Sequence, residues 1–159
     1  MNEIILKPIG IVHSPYTEAK DIPIQGKFKE NVEAIIELEK EYEDGLTDLD
    51  QFSYAIIIYH FHKAKKVSIK SKPFLEDTEH GIFAIRSPFR PNNIGISIVK
   101  IERIIKNKLF FTEVDVFDGT PIIDIKPYVK HFDNRENAKA GWLDKHFLKG
   151  NIPEKTILK

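Results

Sequence analysis

The sequence predicts a mainly β domain, closed as a barrel, with one or two short helices. Three observations carry this. Apolar residues come in short runs rich in Ile, Val, Phe and Tyr, a strand pattern rather than a helical one. Gly, Pro, Asn and Asp punctuate the chain between those runs. No strand–helix alternation appears, which argues against a doubly wound sheet and leaves a barrel as the natural way to cover strand edges. The length of 159 residues suits a single domain, taken as 1–159.

In order, EIILKPIGIVHS is β-branched but interrupted by Pro8, as at an edge or bulge. VEAIIEL, Val32 to Leu38, is a short aliphatic strand. DGLTDLDQFS spaces Leu46, Leu49 and Phe52 three apart behind Asp44, which predicts one short helix from Asp44 to Phe52 with Asp44 as its cap. YAIIIYHFH, Tyr54 to His62, is almost continuously apolar and reads as a strand buried on both faces. GIFAI, IGISIVKIERII and KLFFTEVDVF read as further strands. The last two are joined by a hairpin turn at Lys106–Lys108, and an apolar phase shift near Ile98 and Val99 suggests a bulge. The region from Phe132 to Leu148 reads as a second short helix or an ordered tail.

Composition narrows the chemistry. Without cysteine there is no disulfide, thiolate metal site or cysteine nucleophile, and a reducing cytoplasm is the expected compartment. The N-terminus lacks the pattern of a signal peptide, and no apolar run reaches membrane-span length. Net charge is zero but unevenly spread: residues 29–50 are acid-rich, whereas HFHKAKKVSIKSK, His60 to Lys72, holds five lysines and no acid. This run is either a solvated surface or a phosphate-binding one.

Three stretches carry candidate chemistry. In FAIRSPFRPNNIGIS, Pro88 and Pro91 stiffen the chain, Asn92 and Asn93 tolerate left-handed turns, and Gly95 permits close backbone approach. Arg86 and Arg90 are thereby presented at low entropic cost to a carboxylate or phosphate, or else pair with the acidic segment. In DGTPIIDIKPY, Thr120, Asp124, Lys126 and Tyr128 alternate with apolar residues and would share one strand face, suited to proton transfer or merely exposed. In HFHK, His60 and His62 alternate; with His80 or His13 they could bind a metal, but no acid sits at metal-ligand spacing. There is no nucleotide-type glycine loop and no nucleophile elbow.

Taken together and in order, IGIVHSPY, DGLTDLDQFSYAIIIYHFH, GIFAIRSPFRPNNIGIS and DGTPIIDIKPY resemble the TsaA-like (TrmO, YaeB) family over about residues 8–129, leaving 130–159 as a tail. The resemblance implies a compact β-barrel, often a dimer, that binds S-adenosylmethionine and methylates the exocyclic nitrogen of threonylcarbamoyl-adenosine beside the tRNA anticodon. It implies a cofactor pocket of Pro23, Ile24 and Gln25; His62 and Lys63; Arg86 with Ile96, the latter against an adenine ring; and Asp118, Gly119, Thr120 and Pro121, with backbone donors near Gly119 reaching the adenine edge. Ile24 departs from the family's usual arginine, Lys63 from a common glutamine and Asn93 from a common proline. On this reading Asp124 is the candidate base, or a structural anchor for Arg90, and Lys126 and Tyr128 orient substrate or stabilise charge. Arg90, Lys65, Lys66 and Lys70 are expected to meet tRNA. No metal is expected. Two rivals share parts of the pattern: a non-catalytic S-adenosylmethionine-binding sensor, and a metal-dependent hydrolase built on the histidines.

Overall fold

The computed structural model describes residues 2–29 and 31–147. Six strands form a closed antiparallel barrel in the order β1 (Gly10–His13), β2 (Ala34–Leu38), β7 (Lys108–Thr112), β6 (Ile94–Ile105), β3 (Tyr54–His60), β8 (Pro121–Pro127), with β8 returning to β1. A two-stranded ribbon of β4 (Lys70–Ser71) and β5 (His80–Gly81) lies in the long excursion between β3 and β6. No helix among the described residues is long and apolar enough to cross a membrane.

Alternating residues fill the barrel: Val12, Ala34, Ile36, Leu38, Ala55, Ile57, Tyr59, Val99, Leu109, Phe111 and Ile122 are buried. β3 is therefore buried on one face only. Ile56 and Ile58 lie on the other, outside the barrel, and are only partly covered. β6 behaves alike. Gly95, Ser97 and Val99 point inward, while Ile94, Ile96 and Ile98 point outward and are 38%, 49% and 48% exposed. The phase shift expected near Ile98 and Val99 came from these outward isoleucines. The β6 register shift falls later, between Ile101 and Arg103 opposite β7.

The chain between β2 and β3 holds two 3-10 turns, Lys40–Leu46 and Leu49–Gln51, rather than one helix over Asp44–Phe52. Asp48 at φ 65° separates them, and Asp44 is no cap: its backbone carbonyl accepts from Thr47. The three-residue leucine spacing is that of 3-10 structure, whose side chains eclipse at that interval. GIFAI is likewise a 3-10 turn at Ile82–Ala84, and β7 ends at Thr112 because Glu113 takes φ 62°. Lys106, at φ 55°, makes the expected hairpin turn.

The tail contains a short α1 (Lys130–Asp133) and a 3-10 turn at Gly141–His146; Leu148 and the rest of the chain to 159 lie outside the described residues. This segment docks on the β3–β6 excursion. Glu76, with a side chain only 9% exposed, hydrogen-bonds His80 Nε2 at 2.6 Å and His146 Nε2 at 2.8 Å and pairs with Lys145. Hydrogen bonds from Lys145, His146 and His80 hold its carboxyl down to about 2. Trp142 stacks on His80 at 4.7 Å, and its Nε1 donates to the Ala84 carbonyl at 2.9 Å. Phe147 stacks on Phe28 at 6.4 Å.

Candidate functional site

The site lies where three connections meet: the β1–β2 loop, the loop before β6 and the turn before β8. The first is anchored by a residue without a side chain. A Cβ on Gly26 would fall 1.7 Å from the Glu113 carbonyl oxygen, so only glycine lets the two backbones touch. The Gly26 N–H donates to Asp115 Oδ2 at 3.3 Å, and Ser97 Oγ, projecting inside the barrel, donates to Asp115 Oδ1 at 2.6 Å. Ser97 Oγ also shares a hydrogen bond of 3.1 Å with Tyr59 Oη.

Asp115 was not singled out from sequence, yet it centres this cluster. Desolvation pushes its carboxyl up to about 6, against the opposing pull of the Ser97 and Gly26 hydrogen bonds and the Arg86 charge. Burial, with the Asp115 charge second, raises Tyr59 in turn. Tyr16 is raised by the same two causes and by Asp21; among the described residues its buried hydroxyl has no hydrogen-bond partner.

Arg86 is exposed, and its guanidinium donates to Gln25 Oε1 at 3.2 Å, joining two of the expected pocket segments. Pro23 is buried beneath them, and Ile24 offers its carbonyl to Gln25 Nε2 at 2.8 Å. Arg90 turns back instead: it donates to Ile85 O at 3.0 Å and braces its own loop. Neither arginine reaches the acidic segment through any ion pair among the described residues. Asn92 and Asn93 take φ of 64° and 49°, as the loop chemistry predicted. What Gly95 approaches is the Tyr59 ring, 2.3 Å from where its Cβ would stand.

A second group adjoins the first. His62 Nε2 lies 4.0 Å from the Cβ position of Gly119, and Lys63 Nζ sits 4.1 Å over the Phe117 ring while donating to Thr17 O. Burial, then the Lys63 and His60 charges, lowers the His62 imidazole. Asp118 Oδ1 accepts from the Ser14 N–H at 3.0 Å. The backbone donors of this turn are already used: Asp118, Gly119 and Thr120 N–H bond the carbonyls of Tyr16, Val12 and Phe117. They do not reach out to an adenine edge as expected, and the Thr120 hydroxyl also closes the turn on Phe117 O.

Thr120, Asp124, Lys126 and Tyr128 do not share a face. The β3–β8 register shifts between Ile58 and Tyr59, so that Ile122 pairs with Tyr59 but Asp124 with Ile58. Ile123 is the extra residue, and it switches the strand's phase. Thr120 is buried, whereas Asp124 and Lys126 lie outside the barrel as an ion pair of 2.6 Å. Asp124 thus anchors to Lys126, not to Arg90. Tyr128 packs edge-on against Tyr54. Ile96 stands on the same outer wall, paired with Ile58.

Of the proposed metal ligands, His13 bonds Glu37 at 3.0 Å and His80 bonds Glu76, while His60 and His62 are exposed. Among the described residues no group of three or more histidines or acids is arranged to hold a metal ion; Glu76, His80 and His146 are joined by hydrogen bonds instead. Lys65, Lys66 and Lys70 are exposed, and no acid among the described residues pairs with them.

Residues 11–134 match the model of the tRNA-methyltransferase O N-terminal domain. The chain is 47% identical over 146 residues to a probable S-adenosyl-L-methionine-binding protein of Pyrococcus abyssi, covering 92% of this chain and 79% of that one. It is 33% identical to a mouse tRNA (adenine(37)-N6)-methyltransferase, covering 86% of this chain but only 33% of the mouse protein. A crystal structure of TrmO from Pseudomonas aeruginosa superposes with a TM-score of 0.77 at 32% identity, over 91% of this chain and 63% of that one.

Proposed function

The chain belongs to the family of the tRNA-methyltransferase O N-terminal domain, and from this premise we propose that it is an S-adenosylmethionine-dependent tRNA adenine N6-methyltransferase. The proposed substrate is the threonylcarbamoyl-adenosine beside the anticodon. The observation that carries the reading is the gathering of Arg86, exposed and bonded to Gln25, and of Asp115, bonded to Ser97 and to Gly26 next to Gln25, within reach of each other's charge. A fixed cation beside a fixed anion complements the carboxylate and amino group of an amino-acid ligand. The orphaned Tyr16 hydroxyl adds an unused polar atom to the same cluster.

The residues present thus fit S-adenosylmethionine. Arg86, Gln25 and Asp115 would hold its amino-acid end, and His62 and the Asp118–Pro121 turn would border the rest. When bound, it supplies an electrophilic methyl group. Asp124 is assigned the proton released by the substrate nitrogen, since its side chain stays 43% exposed outside the barrel, with Lys126 orienting it and Tyr128 flanking the substrate. Lys65, Lys66 and Lys70 supply phosphate contacts, with Arg90 contributing mainly by bracing the loop that carries Arg86. The outward Ile94, Ile96 and Ile98, with half-exposed Ile56 and Ile58 beside them, support a homodimer joined across this wall.

The test is incubation of the purified chain with methyl-labelled S-adenosylmethionine and total tRNA, with and without the threonylcarbamoyl group. Label in modified tRNA alone supports the full reading. Label in both tRNAs removes the substrate assignment. Tight cofactor binding without label in either favours the sensor reading, consistent with a Pyrococcus abyssi relative named for binding only.

A further inference from the structure

Large apolar side chains of the β3–β6 excursion that stay exposed include Val67 at 58%, Ile69 at 66%, Phe83 at 79% and Phe89 at 43%. Backbone hydrogen bonds gather their segments. The Ser68 N–H donates to Phe89 O at 2.8 Å, the Ile82 N–H to Ile69 O at 2.9 Å, and Lys70 pairs with Gly81. Ile82 is fully buried, so the turn that hides it leaves the neighbouring Phe83 ring outside. Lys65, Lys66 and Lys70 punctuate the same run, and no acid among the described residues neutralises them. Arg86 stands midway in sequence between Phe83 and Phe89, so this surface adjoins the proposed cofactor pocket.

We propose that the patch formed by Val67, Ile69, Phe83 and Phe89, edged by Lys65, Lys66 and Lys70, takes the unstacked bases of a single-stranded RNA loop. This rests on the tRNA reading above and adds the protein surface on which the loop's bases stack. Lysines alone suit any phosphate backbone, paired or not. Exposed aromatic rings among lysines suit single strands, whose bases stack on rings while phosphates meet the cations. A second copy of the chain fits less well: a two-fold contact centred here would set the lysines of one copy against the same lysines of the other. On the outward isoleucine wall the flanking Lys100 and Lys126 are paired with Glu102 and Asp124.

The experiment compares the parent chain with Phe83→Ala and Phe83→Trp, using an unmodified anticodon stem-loop RNA and a fully paired duplex of the same sequence. Phe83→Ala is expected to bind the stem-loop about tenfold more weakly, as the loss of one base–aromatic stack implies. Its duplex affinity, salt slope, melting temperature and S-adenosylmethionine affinity should match the parent. Phe83→Trp should keep stem-loop affinity, and its added emission should be quenched by the stem-loop. Equal stem-loop affinity of parent and Phe83→Ala overturns the proposal while leaving the tRNA reading standing. Loss in Phe83→Ala of a dimer that the parent forms in sedimentation overturns it in favour of a second copy. A parent that binds neither RNA overturns the proposal, and one that also fails to bind threonylcarbamoyl-modified tRNA overturns the tRNA reading with it.

Discussion

Replacing Asp115 by Asn should change how stability depends on pH, and the structure fixes the sign. Burial raises the Asp115 carboxyl from its ordinary 3.8 to about 6 in the folded chain. Below 3.8 both folded and unfolded forms carry the proton, and Asp115 costs nothing. Between 3.8 and about 6 the unfolded chain ionises while the folded one does not, so stability falls as pH rises. Above about 6 the loss is complete. At about 1.4 kcal/mol per pH unit it amounts to roughly 3 kcal/mol. Asn cannot ionise and escapes this loss. Its amide can also keep the network with the protons reversed: Oδ1 accepts from Gly26 N–H, Nδ2 donates to Ser97 Oγ, and Ser97 donates to Tyr59 Oη. Any imperfection there costs about 1 kcal/mol at every pH. The difference in unfolding free energy, variant minus parent, should therefore climb by roughly 3 kcal/mol from pH 3.8 to above 6. Urea titrations followed by circular dichroism at stepped pH measure it, with other titrating groups cancelling in the difference. Parallel curves would refute the enclosed, proton-retaining carboxyl and with it the electrostatic account of the site.

Three further outcomes are expected. Arg86→Ala should weaken S-adenosylmethionine binding by roughly 1.5–3 kcal/mol, the range of a charge-assisted hydrogen bond; unchanged affinity in calorimetry removes Arg86 from the pocket. Neutralising Lys65, Lys66 and Lys70 together should flatten the salt dependence of tRNA binding while sparing the cofactor, because each phosphate contact adds to the slope; equal slopes in filter binding take these lysines out of the RNA path. Placing Lys at Ile96 and Ile98 together should yield a monomer by sedimentation if the outward wall joins two copies; a variant that stays dimeric frees that wall.

The barrel was legible because most of its strands announce themselves. VEAIIEL sets Glu33 and Glu37 between apolar residues, and its bounds lie within two residues of those found, whereas KLFFTEVDVF starts where β7 does but reads five residues too far, to Phe117. Apolar composition misled where exterior residues are also apolar. YAIIIYHFH and IGISIV look two-sided only because Ile56, Ile58, Ile94, Ile96 and Ile98 face outward. The single extra residue at Ile123 was invisible, since a bulge leaves the residue types unchanged while reversing which of them face inward. Of the site, the Arg86–Gln25 junction was readable only through family resemblance. Asp115 was missed because an acid between Val114 and Val116 reads as the exposed phase of a strand. The left-handed Glu113 ends that strand and leaves both valines buried with the acid turned toward Gly26. The one legible hint was an acid within an apolar run three residues before an Asp-Gly turn.

The docking of residues 141–147 changes how order is distributed through the molecule. The barrel is sewn by ladder bonds throughout its length, but the excursion from His60 to Ile94 has only a two-residue ribbon of its own. Its fixed shape depends on a distant stretch of chain that ties a long loop shut, through Glu76 and through Trp142 on His80 and Ala84. A depressed carboxyl gives its full support above its ordinary value of 4.5 and withdraws it as the pH falls toward about 2. Acid should thus free the excursion as its own cooperative unit, with amide exchange rising at residues 64–89 while the barrel amides stay protected. The segment bearing Arg86 and the exposed lysines is in that sense held by a latch, not built into the frame.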